Sequence, residues 1–128
     1  MAQQEFIPYE QALELKELGF DELSLDAYYK TTDGGVSLVR FPDEERQINY
    51  PFERIPAPLY QQAFRWFRKK HDLMGLIHIG SQEFSFSVYK NGHRITHLKD
   101  YLNYNGTYEE AELACLKKLI EIVKTNKL

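Results

Sequence analysis

The side chains best suited to proton chemistry here are four histidines, and three of them, His78, His93 and His97, fall at strand-like positions. Imidazole titrates near neutral pH and is the usual general base. These three are therefore the candidate bases of a small His-dependent enzyme. His93 and His97 are evenly spaced on one expected strand, so both face the side that carries Ile95. On a solvent face their rings would stand about 13–14 Å apart at strand rise, too far to share a metal ion unless His78 paired with one of them. The expectation is two half-exposed strand histidines, no metal, no cofactor and no catalytic residue.

Cations and aromatic rings form the second set. Arg94 and Thr96 share the opposite face of the histidine strand with Leu98, and Arg40 follows Val36 and Leu38 on an earlier strand. An arginine on an apolar strand face either lies at the sheet margin, stem packed and head in water, or lines a pocket for an anion. The margin is the favoured reading of Arg40. Arg65, Arg68, Lys69 and Lys70 crowd the second half of an expected helix with His71. Part of that cluster complements the helix dipole; the rest is either a solvated face or a phosphate-binding patch. Tyr50 and Phe52 flank Pro51 in one loop, and Tyr101 and Tyr104 alternate with Asn103 and Asn105 in another. Such loops either pin themselves to the body or stack on a planar ligand.

Several chemistries lack their signatures. Gly34-Gly35 has turn context, not the strand–loop–helix context of a phosphate loop, and no HExxH, CxxC, serine-elbow or EF-hand pattern occurs. Cys115 is the only cysteine, which excludes an internal disulfide, and its place on an apolar helix face marks it as a core residue. A net charge of −3 argues against a general nucleic-acid coat. Met1-Ala2-Gln3-Gln4-Glu5 lacks the pattern of a secretory leader, and no apolar run approaches a membrane span. A cytoplasmic protein without membrane contact is expected.

The elements that must hold these residues follow from periodicity. A helix is expected from Pro8 to Leu18, with Pro8 at its first position and Gly19 ending it. Leu23 to Lys30 and Val36 to Phe41 alternate as a hairpin around Asp33-Gly34-Gly35. Four prolines between Pro42 and Pro58 suggest a long surface loop. A second helix starts near Pro58 with Tyr60, Ala63, Phe64 and Phe67 on its buried face, and Trp66 widens that face, which means either deep burial between the sheet and another helix or, the favoured reading, a homodimer contact. Strands Leu76–Ile79, Glu83–Lys90 and His93–Leu98 follow, the last two joined by the turn Asn91-Gly92. After a loop from Lys99 to Gly106, a helix opens with Thr107 and Glu110 as a capping box. The order α-β-β-α-β-β-β-α in a chain of 128 residues predicts one α+β domain, with an antiparallel sheet of about five strands covered by amphipathic helices. Tyr9-Glu10-Gln11-Ala12, Tyr60-Gln61-Gln62-Ala63 and Tyr108-Glu109-Glu110-Ala111 open the three helices alike. This is either repeated helix-start chemistry or an old duplication.

Phe6 to Glu22, Pro58 to Leu73 and Thr107 to Lys124 together resemble a group of short uncharacterised proteins encoded by tailed bacteriophages and prophages. The resemblance covers the helices, about two-fifths of the chain, and carries no activity or site residue. It implies an accessory protein acting inside a bacterial host cell. The expected function is non-catalytic binding, in counter-defence, of a host protein or a nucleotide-like small molecule. Nucleic-acid binding through the basic end of helix two is the alternative, and a His-dependent enzyme the second. The ligand is expected where strand ends meet the Tyr101–Thr107 loop, with Tyr104 stacking on a base and Arg94 meeting a phosphate.

Overall fold

The structure is a computed structural model that describes residues 6–20, 22, 26–30, 33–40, 54–80, 83–96, 102–104 and 107–126. The expected strand start Leu23–Leu25, its far end Phe41, the loop aromatics Tyr50 and Phe52, and His97, Leu98, Tyr101 and Asn105 lie outside these residues. The fold class is α+β, with three helices among the described residues. The chain divides into two compact units, Met1–Leu59 and Tyr60–Leu128. Among the described residues the strands form two antiparallel sheets, one in each unit, where one sheet of about five strands was expected.

In the first unit, helix α1 spans Tyr9–Glu17 and buries Gln11, Ala12 and Leu15. Pro8 is its cap, not its first turn: ψ of 156° keeps Pro8 extended while its carbonyl accepts from the Ala12 N–H at 2.9 Å. At the other end the Phe20 N–H bonds the Leu15 carbonyl and the Gly19 N–H bonds Lys16. That Schellman pair needs a left-handed residue, and Gly19 has φ of 102°.

Strands β1 (Asp26–Lys30) and β2 (Val36–Arg40) pair antiparallel from Asp26 with Arg40 to Lys30 with Val36. In the connecting turn, Asp33 Oδ1 accepts from the Gly35 N–H at 3.0 Å. Strand β3 (Arg54–Pro56) pairs with the other edge of β1. It falls inside the stretch expected to be surface loop, and Ile55, Pro56, Ala57 and Pro58 are buried. The Ala57 N–H donates to the Asp26 carbonyl at 3.0 Å. By alternation, Pro56 opposite Ala27 is then a non-hydrogen-bonded position, where a missing N–H costs no ladder bond. Lys16 on α1 donates to the Arg54 carbonyl, and the Tyr28 hydroxyl donates to Ile7 O.

In the second unit, helix α2 spans Tyr60–His71 and buries Tyr60, Ala63, Trp66 and Phe67. Phe64 is only half-buried, so the buried stripe is rotated toward Trp66. Trp66, the residue that widens the apolar face, is itself buried, in line with the deep-burial reading of that face. Strand β4 spans Leu73–Ile79 and pairs with β5, Glu83–Lys90. Asn91 and Gly92 both have positive φ, 52° and 81°, as a two-residue type I′ turn requires. That turn leads to β6, His93–Arg94, on the other edge of β5. Strand β7, Leu102–Tyr104, falls in the stretch expected to be loop and pairs further along the same edge. Helix α3, Tyr108–Asn126, packs on β4 and β5. Its capping box forms as expected: Thr107 Oγ1 accepts from the Glu110 N–H at 3.1 Å, and Glu110 Oε1 from the Thr107 N–H at 2.8 Å.

Each of the three similar phrases opens a helix at its tyrosine, and Ala12, Ala63 and Ala111 are all buried. A small side chain at that point allows close packing of each helix.

Candidate binding cleft

The register of the second sheet sorts its side chains onto two faces. Leu73, Gly75, Ile77 and Ile79 of β4 pair with Lys90, Val88, Phe86 and Phe84 of β5. Helix α3 covers this face, since Gly75 lies against Cys115 and Leu119 and the Phe84 ring meets Tyr108 edge-on at 5.9 Å. Met74, Leu76 and His78 share the opposite face with Tyr89, Ser87 and Ser85. Arg94 pairs with Tyr89 across the β5–β6 hairpin and joins that face.

A cleft of about 310 Å³ opens where this face meets the end of α2. Met74, Leu76 and Tyr89 make its apolar wall with Leu73, Arg68 and Asp72 border it from the helix end, and Asn91 and Gly92 from the turn. The volume is at the lower end of the range for small-molecule sites. Two left-handed non-glycine residues, Asp72 (φ 58°) and Asn91 (φ 52°), stand at its rim. Both have local causes: Asp72 turns the chain from α2 into β4, and Asn91 begins the type I′ turn. Asp and Asn tolerate that conformation best among residues with a Cβ.

The basic run divides on this framework. Arg65, Arg68, Lys69 and Lys70 are all exposed on α2, and Arg68 alone of them lines the cleft. The next residue, His71, packs against Trp66 with ring centroids 5.0 Å apart and against Phe67 at 6.0 Å. Its Nε2 is shielded from solvent with no hydrogen-bond partner among the described residues. Burial, with the charges of Lys70 and Lys90, holds the His71 pKa below its ordinary value.

Arg40 has a different employment. Its Nε and Nη2 fork onto Asp26 Oδ1 and Oδ2 at 3.1 and 2.8 Å, across the strand pair in which the two residues are partners. The Arg40 side chain is exposed, so this is the sheet-margin arrangement. His78 Nε2 lies 2.6 Å from Ser87 Oγ, a contact with the outline of a base and a nucleophile. Ser87 is only 1 % exposed, however, so a substrate has no path to its hydroxyl. The pair satisfies a buried polar group.

Among the described residues the remaining candidates are spread along β5 and its partners. His93 is exposed and pairs with Lys90, which puts it on the face opposite His78. Among the described residues no group of three or more His, Cys, Asp or Glu side chains is placed to hold a metal ion. Tyr104 pairs with Glu83 and Arg94 with Tyr89, at opposite ends of β5. The two pairs are therefore offset by six residues along β5, about 20 Å of strand rise. His97 and Tyr101 lie outside the described residues.

Tyr89, Met74 and Leu76 are the cleft residues that motif reading passes over. A signal for Tyr89 was present, because a two-residue turn at Asn91-Gly92 sets Lys90 opposite His93 and Tyr89 opposite Arg94. No helix among the described residues is long and apolar enough to cross a membrane. Comparison with protein-family models, curated proteins and solved structures gives no match.

Proposed function

We propose that this chain is a small non-catalytic binding protein of the phage accessory kind, and that its cleft takes a nucleotide-like molecule in counter-defence. One observation carries the reading: Tyr89 lines an apolar cleft with Arg68, and Arg94 is its cross-strand partner on the same face. The ring offers a stacking platform and the Arg68 guanidinium a forked donor to a phosphate, while Arg94, whose Nε donates to the Thr96 carbonyl at 3.3 Å, adds its positive charge on the same face. Asp72 repels an anion, so the phosphate belongs on the Arg94 side of the ring.

The test is calorimetry and thermal shift with linear and cyclic mono- and dinucleotides, with inorganic phosphate as control. Tyr89→Ala should weaken binding by about tenfold, the loss of one stacked base. Arg68→Ala should weaken nucleotides more than nucleosides. Absence of any thermal shift at millimolar nucleotide removes the reading.

A nucleic-acid reading draws on Arg65, Arg68 and Lys69, which are exposed at i, i+3 and i+4 on α2. It requires a gel shift at low salt that weakens steeply as salt rises. Binding that is lost in an Arg65→Ala, Lys69→Ala variant but kept in Tyr89→Ala favours it over the nucleotide.

A further inference from the structure

Edge strands present unpaired N–H and C=O groups, and natural edges are blunted by charge, proline or shortness. Most edges here follow that rule. Strand β3 is three residues long and carries Arg54 and Pro56, and β2 ends on Arg40. Strands β6 and β7 are two and three residues long. Strand β4 is the exception. It runs for seven residues, Leu-Met-Gly-Leu-Ile-His-Ile, with no acidic residue, lysine, arginine or proline. It has β5 on one side and, among the described residues, no strand on the other.

The hydrogen-bond phase of that edge is set by the far side of β5. The Ile95 N–H donates to the Val88 carbonyl at 2.9 Å, so Val88 directs its backbone groups away from β4. Its partner Gly75 is then at a non-hydrogen-bonded position toward β5 and directs its own groups outward. By alternation Leu73, Gly75, Ile77 and Ile79 offer their N–H and C=O groups to the open edge. The exposed apolar side chains lie on the same strand: Met74 at 44 %, Leu76 at 39 % and Ile79 at 74 %.

We infer that β4 pairs antiparallel with β4 of a second copy of this chain, about a two-fold axis at Leu76. This register pairs the whole strand and closes on itself, as an isologous interface must. Gly75 meets Ile77 of the copy and Leu73 meets its Ile79 as hydrogen-bonded pairs. The two Leu76 side chains meet at the axis as a non-hydrogen-bonded pair, and Met74 meets His78. Each isoleucine of one strand faces a leucine or the vacant face of a glycine on the other. The strand carries no lysine, arginine or carboxylate, so self-pairing at neutral pH sets no such charges against each other. The pairing stands on the edge and is independent of the cleft ligand, although Met74 and Leu76 belong to both.

Cross-linking provides a clean test because Cys115 is fully buried. In Leu76→Cys the only accessible thiol would sit on the axis, at the closer of the two antiparallel spacings, about 4.5 Å between Cα atoms. Mild oxidation of this variant should give a disulfide-linked dimer, and His93→Cys, on β6, should give none. Sedimentation equilibrium of the wild type should show a reversible dimer that Leu76→Lys weakens at least about tenfold, by placing two ammonium groups together. Circular dichroism checks the fold of each variant. A wild type that stays monomeric at high micromolar concentration overturns the inference, including the case in which an extended peptide of another protein occupies the edge. A dimer that survives Leu76→Lys and is not captured by Leu76→Cys also overturns it. Nucleotide affinity of Tyr89→Ala, read separately, reports on the cleft alone.

Discussion

Gly75 is held against Cys115 so closely that a Cβ on the glycine would stand 2.7 Å from the Cys115 Sγ and 3.3 Å from a Leu119 methyl. The glycine is there for space, because helix α3 crosses the sheet at this point. Gly75→Ala should destabilise the chain by about 1–3 kcal/mol, the usual cost of overpacking. Cys115→Ala removes the nearer obstacle. The double variant should therefore be more stable than the sum of the two singles predicts, with a coupling of about 1 kcal/mol in a urea-unfolding cycle.

The same burial makes the Cys115 thiol inert. Loss of water, with the charge of Glu112 beside it, pushes its pKa up to about 12. An unfolded cysteine gives up its proton near pH 8.5. Between that pH and about 12 the unfolded state binds fewer protons than the folded state, so stability falls as pH rises. The slope from this one group approaches about 1.4 kcal/mol per pH unit. The Tyr28 and Tyr108 phenols, also raised by burial, act in the same direction. Subtracting the alkaline slope of Cys115→Ala from that of the wild type isolates the thiol. A thiol reagent should modify the native chain only at its global unfolding rate.

What was legible beforehand was local. The Schellman turn at Gly19, the box of Thr107 and Glu110 and the Asn91-Gly92 turn each depend on residues within five positions of one another, and each forms. The pairing of Tyr28 with Ile55 spans a stretch whose prolines disguise a strand, because only the partner strand's phase shows that Pro56 needs no N–H. Division into two sheets is likewise a property of long-range pairing. Arg68 and Tyr89 meet in one cleft only because β4 folds back along β5. Phe64 and Trp66 flank one buried stripe from either side, and periodicity alone does not say which of them is the more deeply buried.

His71 and Trp66 should report pH together. Desolvation, then Lys70 and Lys90, lower the His71 pKa from the ordinary 6.5. The folded state thus holds the neutral ring where the unfolded state has begun to bind a proton. That contribution is present above about pH 6.5 and is lost as pH falls through the lower folded value. Trp66 is the only tryptophan and lies 5.0 Å from the ring, close enough for an imidazolium to quench it. Its fluorescence should fall with a midpoint below 6.5, before the chain unfolds. His71→Phe should abolish the transition and flatten the acid limb of stability below pH 6.5. A midpoint at or above 6.5 would contradict the packing.

The last prediction concerns the first turn of α3, which brings Tyr108 onto Phe84. Thr107 and Glu110 are both exposed, so substituting them leaves no cavity and the reciprocal bonds are what is lost. Thr107→Ala removes the acceptor of the Glu110 N–H and should cost about 1 kcal/mol. Glu110→Ala removes the acceptor of the Thr107 N–H and a negative charge near the positive end of the helix, so it should also destabilise. Thr107→Ser keeps the oxygen and should stay within about 0.5 kcal/mol of the wild type. Hydrogen exchange separates a local from a global effect. Amides of the first turn should lose protection in Thr107→Ala by more than those of Leu116, Leu119 and Ile120, whose side chains face the core. Equal loss along the helix would mean that α3 opens as one unit and that its cap holds the whole sheet face closed.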